Sequence, residues 1–217
     1  MTTKRIRHGR VELALHELRG GEGRALLLLH GLGERSPRAP GPELAGWRGP
    51  VFALDFTGHG ESACSVGGGY TAEVLMGDVD TALRQLGSAT LLGRGLGAYV
   101  ALLIAGARPA LVRGAVLMDG LGIAGGGAEA ATPSLVYPSP GALAPPDPFA
   151  LVELSRDVRP PDYATAFVRQ ANELSGLEYP IAVCCAEKPD WLEAVLEEPG
   201  VQTLSVEGAL AYYAKRA

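Results

Sequence analysis

Cysteine is scarce: Cys64, Cys184 and Cys185 are the only three in 217 residues. One remote thiol and an adjacent pair cannot staple a domain of this size, so the sequence predicts reduced thiols and an intracellular, cytoplasmic protein. Basic excess is also missing. The 19 Lys and Arg stand against 24 Asp and Glu, a net charge of −5 with no basic stripe, which argues against a nucleic-acid surface. The longest strongly apolar run, residues 98–107, is too short to cross a bilayer, and the basic opening residues lead into no apolar leader core. No membrane association is expected. Aromatics are few, yet 47% of the residues are apolar, enough to build one packed domain and to exclude wholesale disorder. Histidine is confined to His8, His16, His30 and His59, and none follows.

What is present alternates. Residues 5–18 read as a hairpin turning at His8-Gly9, with Val11, Leu13 and Leu15 at every second position. Apolar runs at 25–31, 51–56, 89–93, 114–120, 180–186 and 201–206 read as strands buried on both faces. Between them lie helical patterns: one capped by Thr71, one from Leu96 to a stop at Pro109, one capped by Asp190, and a terminal stretch from Gly208 to Arg216. This rhythm predicts an α/β fold, a mostly parallel sheet opened by an antiparallel hairpin, with helices on both faces. Residues 121–178 break the rhythm with many prolines and two helices starting near Asp147 and Asp162. They are expected to form an inserted lid over a core made of 1–120 and 179–217.

Ligand sites of such sheets lie beyond the carboxyl ends of the parallel strands. Three motifs fall there: His30-Gly31-Leu32-Gly33, then Asp55-Phe56-Thr57-Gly58-His59-Gly60-Glu61-Ser62, then Gly93-Arg94-Gly95-Leu96-Gly97 running into a helix. Together with the hairpin, the lid and two closing strands, in this order, the chain resembles the α/β-hydrolase superfamily. The resemblance implies a Ser-His-Asp site, with the serine on a G-x-S-x-G turn. The chain departs from that pattern. Gly95 occupies the nucleophile position, and Leu210 falls in the region where the family base is expected. Asp119 and Asp190 are the possible acids, with Asp190 better suited to capping a helix and Asp119 lacking a histidine to orient.

The resemblance leaves an oxyanion hole, formed by the backbone N–H groups of Leu32 and Leu96. A ligand held there would meet His30, Gly31, Leu32, Arg94, Gly95, Leu96 and His59. Each has a plainer reading: His30 and His59 shape their turns, Asp55 ties its loop through backbone N–H groups, and Arg94 is solvated or paired. Cysteine catalysis finds little support, because Cys184 and Cys185 sit in an apolar strand and only His59 is local to Cys64. No metal-ligand spacing occurs, and no cofactor is implied. The expectation is a pseudo-hydrolase that binds a small ligand or a protein partner. A lyase, isomerase or cyclase using the hole with His30 or His59 is one alternative, and a structural subunit, for instance of a homodimer, is another. Restoring hydrolysis would take at least Gly95→Ser together with Leu210→His. A fluorophosphonate probe should leave the native chain unlabelled, and covalent labelling of a serine would contradict this reading.

Overall fold

The structure is a computed structural model and describes residues 1–126 and 145–215. Strands β1 (Thr2–His8) and β2 (Val11–Arg19) form the hairpin, followed by β3 (Ala25–Leu29) and β4 (Val51–Leu54). Helix α1 (Ala72–Leu86) leads to β5 (Ala89–Arg94), α2 (Leu96–Ala107) and β6 (Val112–Met118). Then come α3 (Pro148–Arg156), α4 (Pro161–Leu174), β7 (Ile181–Cys184), α5 (Asp190–Leu196), β8 (Val201–Thr203) and α6 (Val206–Ala214). The eight strands make one sheet in the order β1-β2-β4-β3-β5-β6-β7-β8. β2 is antiparallel to both β1 and β4, and every later pair is parallel.

The period-two alternation of the strands divides the core between the two faces. Leu27 and Leu29 of β3, Leu91 of β5, Leu117 of β6 and Val183 of β7 share one cluster with α1, α2, α4 and α5. Leu26, Leu92, Val116 and Ala182 face the other way, against Leu44, Trp47 and α6. α2 is buried on every side except at its last residue, which explains why its sequence is apolar all round and lacks the polar stripe of a surface helix. Burial of each such leucine stabilises the fold by roughly 1.5–3 kcal/mol.

Several boundaries differ from those read in the sequence. Thr71 caps α1 as expected, its Oγ1 accepting the Val74 N–H at 3.3 Å. Pro189, not Asp190, is the cap residue of α5, and Asp190 is exposed in its first turn. A proline carries the fixed φ that suits the entry to a helix, and no donor is lost there. The last strand ends at Thr203 and α6 begins at Val206, so only the first half of the final apolar run is strand. The segment 121–178 is also not uniform. α4 buries Ala164, Thr165, Val168 and Ala171 in the helical layer that also holds α2 and α5, as the crossover between parallel strands β6 and β7 requires. What remains available to a lid is residues 121–160, of which 127–144 lie outside the described residues.

The loops at the carboxyl edge of the sheet are held by buried carboxylates. Asp55 accepts the backbone N–H groups of Ser36 (2.7 Å) and Glu61 (2.7 Å), as the sequence suggested. It also meets His16 Nε2 at 3.0 Å, so this hairpin histidine braces the Asp55 loop. Asp78 accepts from Thr57 N and Thr57 Oγ1 and pairs with His8 Nδ1 at 2.7 Å, which ties the hairpin turn to α1. Asp147 accepts the Tyr70 hydroxyl, and its own N–H donates to Gly58 O. Each carboxylate replaces water with two or more fixed donors, which offsets the desolvation of its charge.

Candidate functional site

Gly95 stands at the corner between β5 and α2, with φ 58° and ψ −118°. This is the strained bend that presents a nucleophile in the resembled family, and glycine adopts it without a Cβ penalty. The corner is therefore intact as backbone, and the position carries no attacking group.

The two expected hole donors are also in place, and both are used. Leu32 N–H and Leu96 N–H each donate to the carbonyl oxygen of Leu121, both at 2.9 Å. Leu121 belongs to the loop after β6, and its carbonyl accepts both donors that the resemblance assigns to an oxyanion hole. The approach is so close that a Cβ added at Gly95 would lie 2.2 Å from Leu121 O and 2.6 Å from the Gly120 carbonyl carbon. A Cβ at Gly122 would lie 2.7 Å from Leu32 Cβ. Glycine at these positions is what lets the loop descend onto the elbow. Sequence reasoning missed Leu121; the only signal was the Gly120-Leu121-Gly122 pattern after an apolar strand, which is common to many turns.

The same loop is fastened at both ends. Asp119 accepts from Ala186 N (2.8 Å) and Glu187 N (3.0 Å), the backbone that follows β7. Its carboxylate thus closes a gap between strand ends and does not orient a base. Ile123 O accepts the Trp191 indole N–H at 2.8 Å and a donor of Arg159. Gly126 N donates to Asp157 O at 2.9 Å.

The histidines serve the loops. His30 is buried; its Nδ1–H donates to Gly31 O at 2.7 Å and its Nε2 accepts the Phe56 N–H at 3.1 Å. Both nitrogens are engaged, and burial pushes its pKa down to about 4. His59 is fully buried beside it, ring centroids 5.1 Å apart, with Nδ1 on Thr57 O at 3.1 Å; burial lowers its pKa as well. Arg94 is half exposed and pairs with Glu34 at 3.1 Å, while Glu34 also accepts the Gly31 N–H. His30, Glu34 and Arg94 line a pocket of about 240 Å³ with Leu28, Leu92 and Met118, on the face of the sheet that carries α6.

Leu210 does not stand where a base would. It is buried within α6 among Leu26, Leu92, Val116 and Tyr213. The residues directly after β8 are Leu204 and Ser205, and Ser205 Oγ caps α6 by accepting Gly208 N. An imidazole at 210 would be placed in an apolar cluster, so the pair Gly95→Ser and Leu210→His does not rebuild a triad. Thiol chemistry gains nothing either: burial raises Cys184 to about 11 and Cys185 to about 12, and raises Cys64 too. Among the described residues no cluster of His, Cys, Asp and Glu is arranged to hold a metal, and no helix is long and apolar enough to cross a membrane.

His30 sets an acid limit to stability. The unfolded chain binds a proton at this side chain near pH 6.5, whereas the folded one binds it only near 4. Stability from His30 is therefore complete above 6.5 and falls as pH drops to about 4, by on the order of 3 kcal/mol, and His59 acts in the same direction. Chemical unfolding between pH 7 and 4 should show this decline, and His30→Gln, which can donate and accept without ionising, should flatten it. An unchanged slope would contradict the assignment.

Comparison with known proteins agrees with this fold. The chain matches the model of the alpha/beta hydrolase family over residues 26–209. Among solved structures, a membrane phospholipase A described as a bacterial virulence factor superposes with a TM-score of 0.57 at 16% identity, covering 100% of this chain and 87% of that one. That likeness shows the fold alone. An epoxide hydrolase A from Mycobacterium thermoresistibile (27% identity, TM-score 0.47) and E-2-(acetamidomethylene)succinate hydrolase (29%, 0.45) align over 54% and 53% of this chain. The aligned parts span only 38% and 43% of those proteins. A search of curated proteins finds no match. With its strand order, its elbow at Gly95 and a family match over most of its length, the chain belongs to the alpha/beta hydrolase family.

Proposed function

We propose that this chain is a catalytically degenerate α/β hydrolase that keeps the scaffold for binding and does not hydrolyse substrates. The observation that carries this reading is the Leu121 carbonyl, which accepts both hole donors directly above a glycine elbow. Hydrolysis in this family needs a nucleophile, a base and an empty hole. The chain offers no side chain at 95, no histidine after 59, and a hole satisfied by its own backbone. The lyase, isomerase or cyclase alternative calls for an open hole faced by a histidine nitrogen. His30, with both nitrogens bonded to the chain, gives it no support, while His59 keeps Nε2 unpaired among the described residues but fully buried.

A small ligand fits the reading at the 240 Å³ pocket, where an apolar floor of Leu28, Leu92 and Met118 meets Glu34, Arg35 and Arg94 at the mouth. That composition suits a small amphipathic molecule with a polar end. Purified protein should turn over esters, thioesters and epoxides no faster than buffer. Gly95→Ser should stay inactive and lose roughly 2–4 kcal/mol of stability, because its Cβ meets backbone at a positive φ. In a thermal-shift screen, any hit in the pocket should be lost on Met118→Trp, which fills it. Turnover by the native protein that disappears on substitution at Gly95 or His30 would overturn the proposal.

A further inference from the structure

Four charged side chains line the 240 Å³ pocket: Glu34, Arg35, Glu43 and Arg94. Two of them are spent on each other. Glu34 accepts the Gly31 N–H at 3.0 Å and meets Arg94 Nε at 3.1 Å, and Arg94 Nη1 donates to Asp119 O at 3.3 Å. The other two are not spent. Neither the Arg35 guanidinium nor the Glu43 carboxylate forms a hydrogen bond or an ion pair among the described residues. His30, which also lines the pocket, is neutral at pH 7 and adds no charge.

The backbone holds these two residues in place while their charged ends stay free. Arg35 lies between Glu34, fixed as above, and Ser36, whose N–H donates to Asp55 at 2.7 Å. Glu43 belongs to the 3-10 turn Pro42–Leu44, which Leu44 anchors in the core on this face of the sheet. Gly41 leaves room for the Glu43 carboxylate, since a Cβ there would collide with it. The pocket thus sets one free cation and one free anion over an apolar floor of Leu28, Leu92 and Met118. A simple carboxylate would answer Arg35 and leave Glu43 facing its head group. A simple amine would do the reverse. A zwitterion answers both, and charge-assisted hydrogen bonds of this kind fix orientation. The volume lies below the range of about 300–1,000 Å³ that holds drug-sized ligands, so the occupant is small.

Resting on the pocket reading above, we propose that this cavity binds a free α-amino acid with an aliphatic or thioether side chain. Arg35 receives the carboxylate, Glu43 receives the ammonium group, and the side chain lies on Leu28, Leu92 and Met118.

The test is a titration of the native protein at pH 7 and constant ionic strength with L-leucine, L-leucinamide, 4-methylpentanoate and glycine. Leucinamide lacks the carboxylate, 4-methylpentanoate the ammonium group, and glycine the apolar side chain. Leucine should raise the melting temperature saturably, by roughly 3–5 °C at about tenfold above half-saturation. Each of the other three should bind about five- to tenfold more weakly or worse. Arg35→Gln should remove the advantage of leucine over leucinamide, and Glu43→Gln its advantage over 4-methylpentanoate. Met118→Trp should abolish the leucine response. If leucinamide or 4-methylpentanoate binds as tightly as leucine and Met118→Trp removes both responses, the zwitterion proposal falls and the pocket reading stands. The absence of a saturable leucine response likewise overturns the zwitterion proposal alone. A leucine response that Met118→Trp retains overturns the pocket reading with it. Should the tryptophan variant fail to fold, Arg35→Gln and Glu43→Gln, neither of them at a buried residue, decide.

Discussion

Two backbone N–H groups converge on one carbonyl oxygen at the carboxyl edge of this sheet, and much of the local structure follows from that. Leu32 and Leu96 would be orphaned donors at the end of a strand and the start of a helix if nothing met them. In an active member of the fold, water or substrate does so. Here Leu121 does so, at 2.9 Å from each. A neutral carbonyl satisfies both donors and carries no charge to be stabilised. The glycines at 95, 120 and 122 are the steric condition for this contact.

The rest of the carboxyl edge is built in the same manner. Loops that carry function in this architecture are here bound to one another by internal groups: Asp55 gathers the loop after β4, Asp119 joins the ends of β6 and β7, and Glu34 links Gly31 to Arg94. His30 acts as a neutral spacer with both a donor and an acceptor in use. Such a surface is stable without ligand, which is the opposite of a pocket held open against its own collapse.

The sequence carried most of the fold and less of the site. Strands such as 25–29 and 112–118 were legible because burial on both faces demands an unbroken apolar run, and the corner at Gly95 because strand, glycine turn and helix adjoin in one short stretch. Element ends were harder. Val201 to Val206 is uniformly suited to a strand, yet Ser205 Oγ caps a helix and cuts the run at Thr203. Leu210, expected in the region of the family base, lies inside that helix and in the core. α4 looked like part of an insertion because prolines precede it, whereas its Ala164, Val168 and Ala171 face matches the helical layer. The plug at Leu121 was not legible at all, since a backbone carbonyl leaves no mark on the side-chain alphabet.

The most direct test is amide hydrogen exchange at Leu32 and Leu96 in the native, ligand-free protein. If Leu121 fills the hole, both amides exchange slowly, with protection close to that of the buried strand β5 and no change on adding an anionic acyl-transfer analogue. Rapid exchange at the two amides, slowed only when such an analogue is bound, would show an open hole and contradict the account.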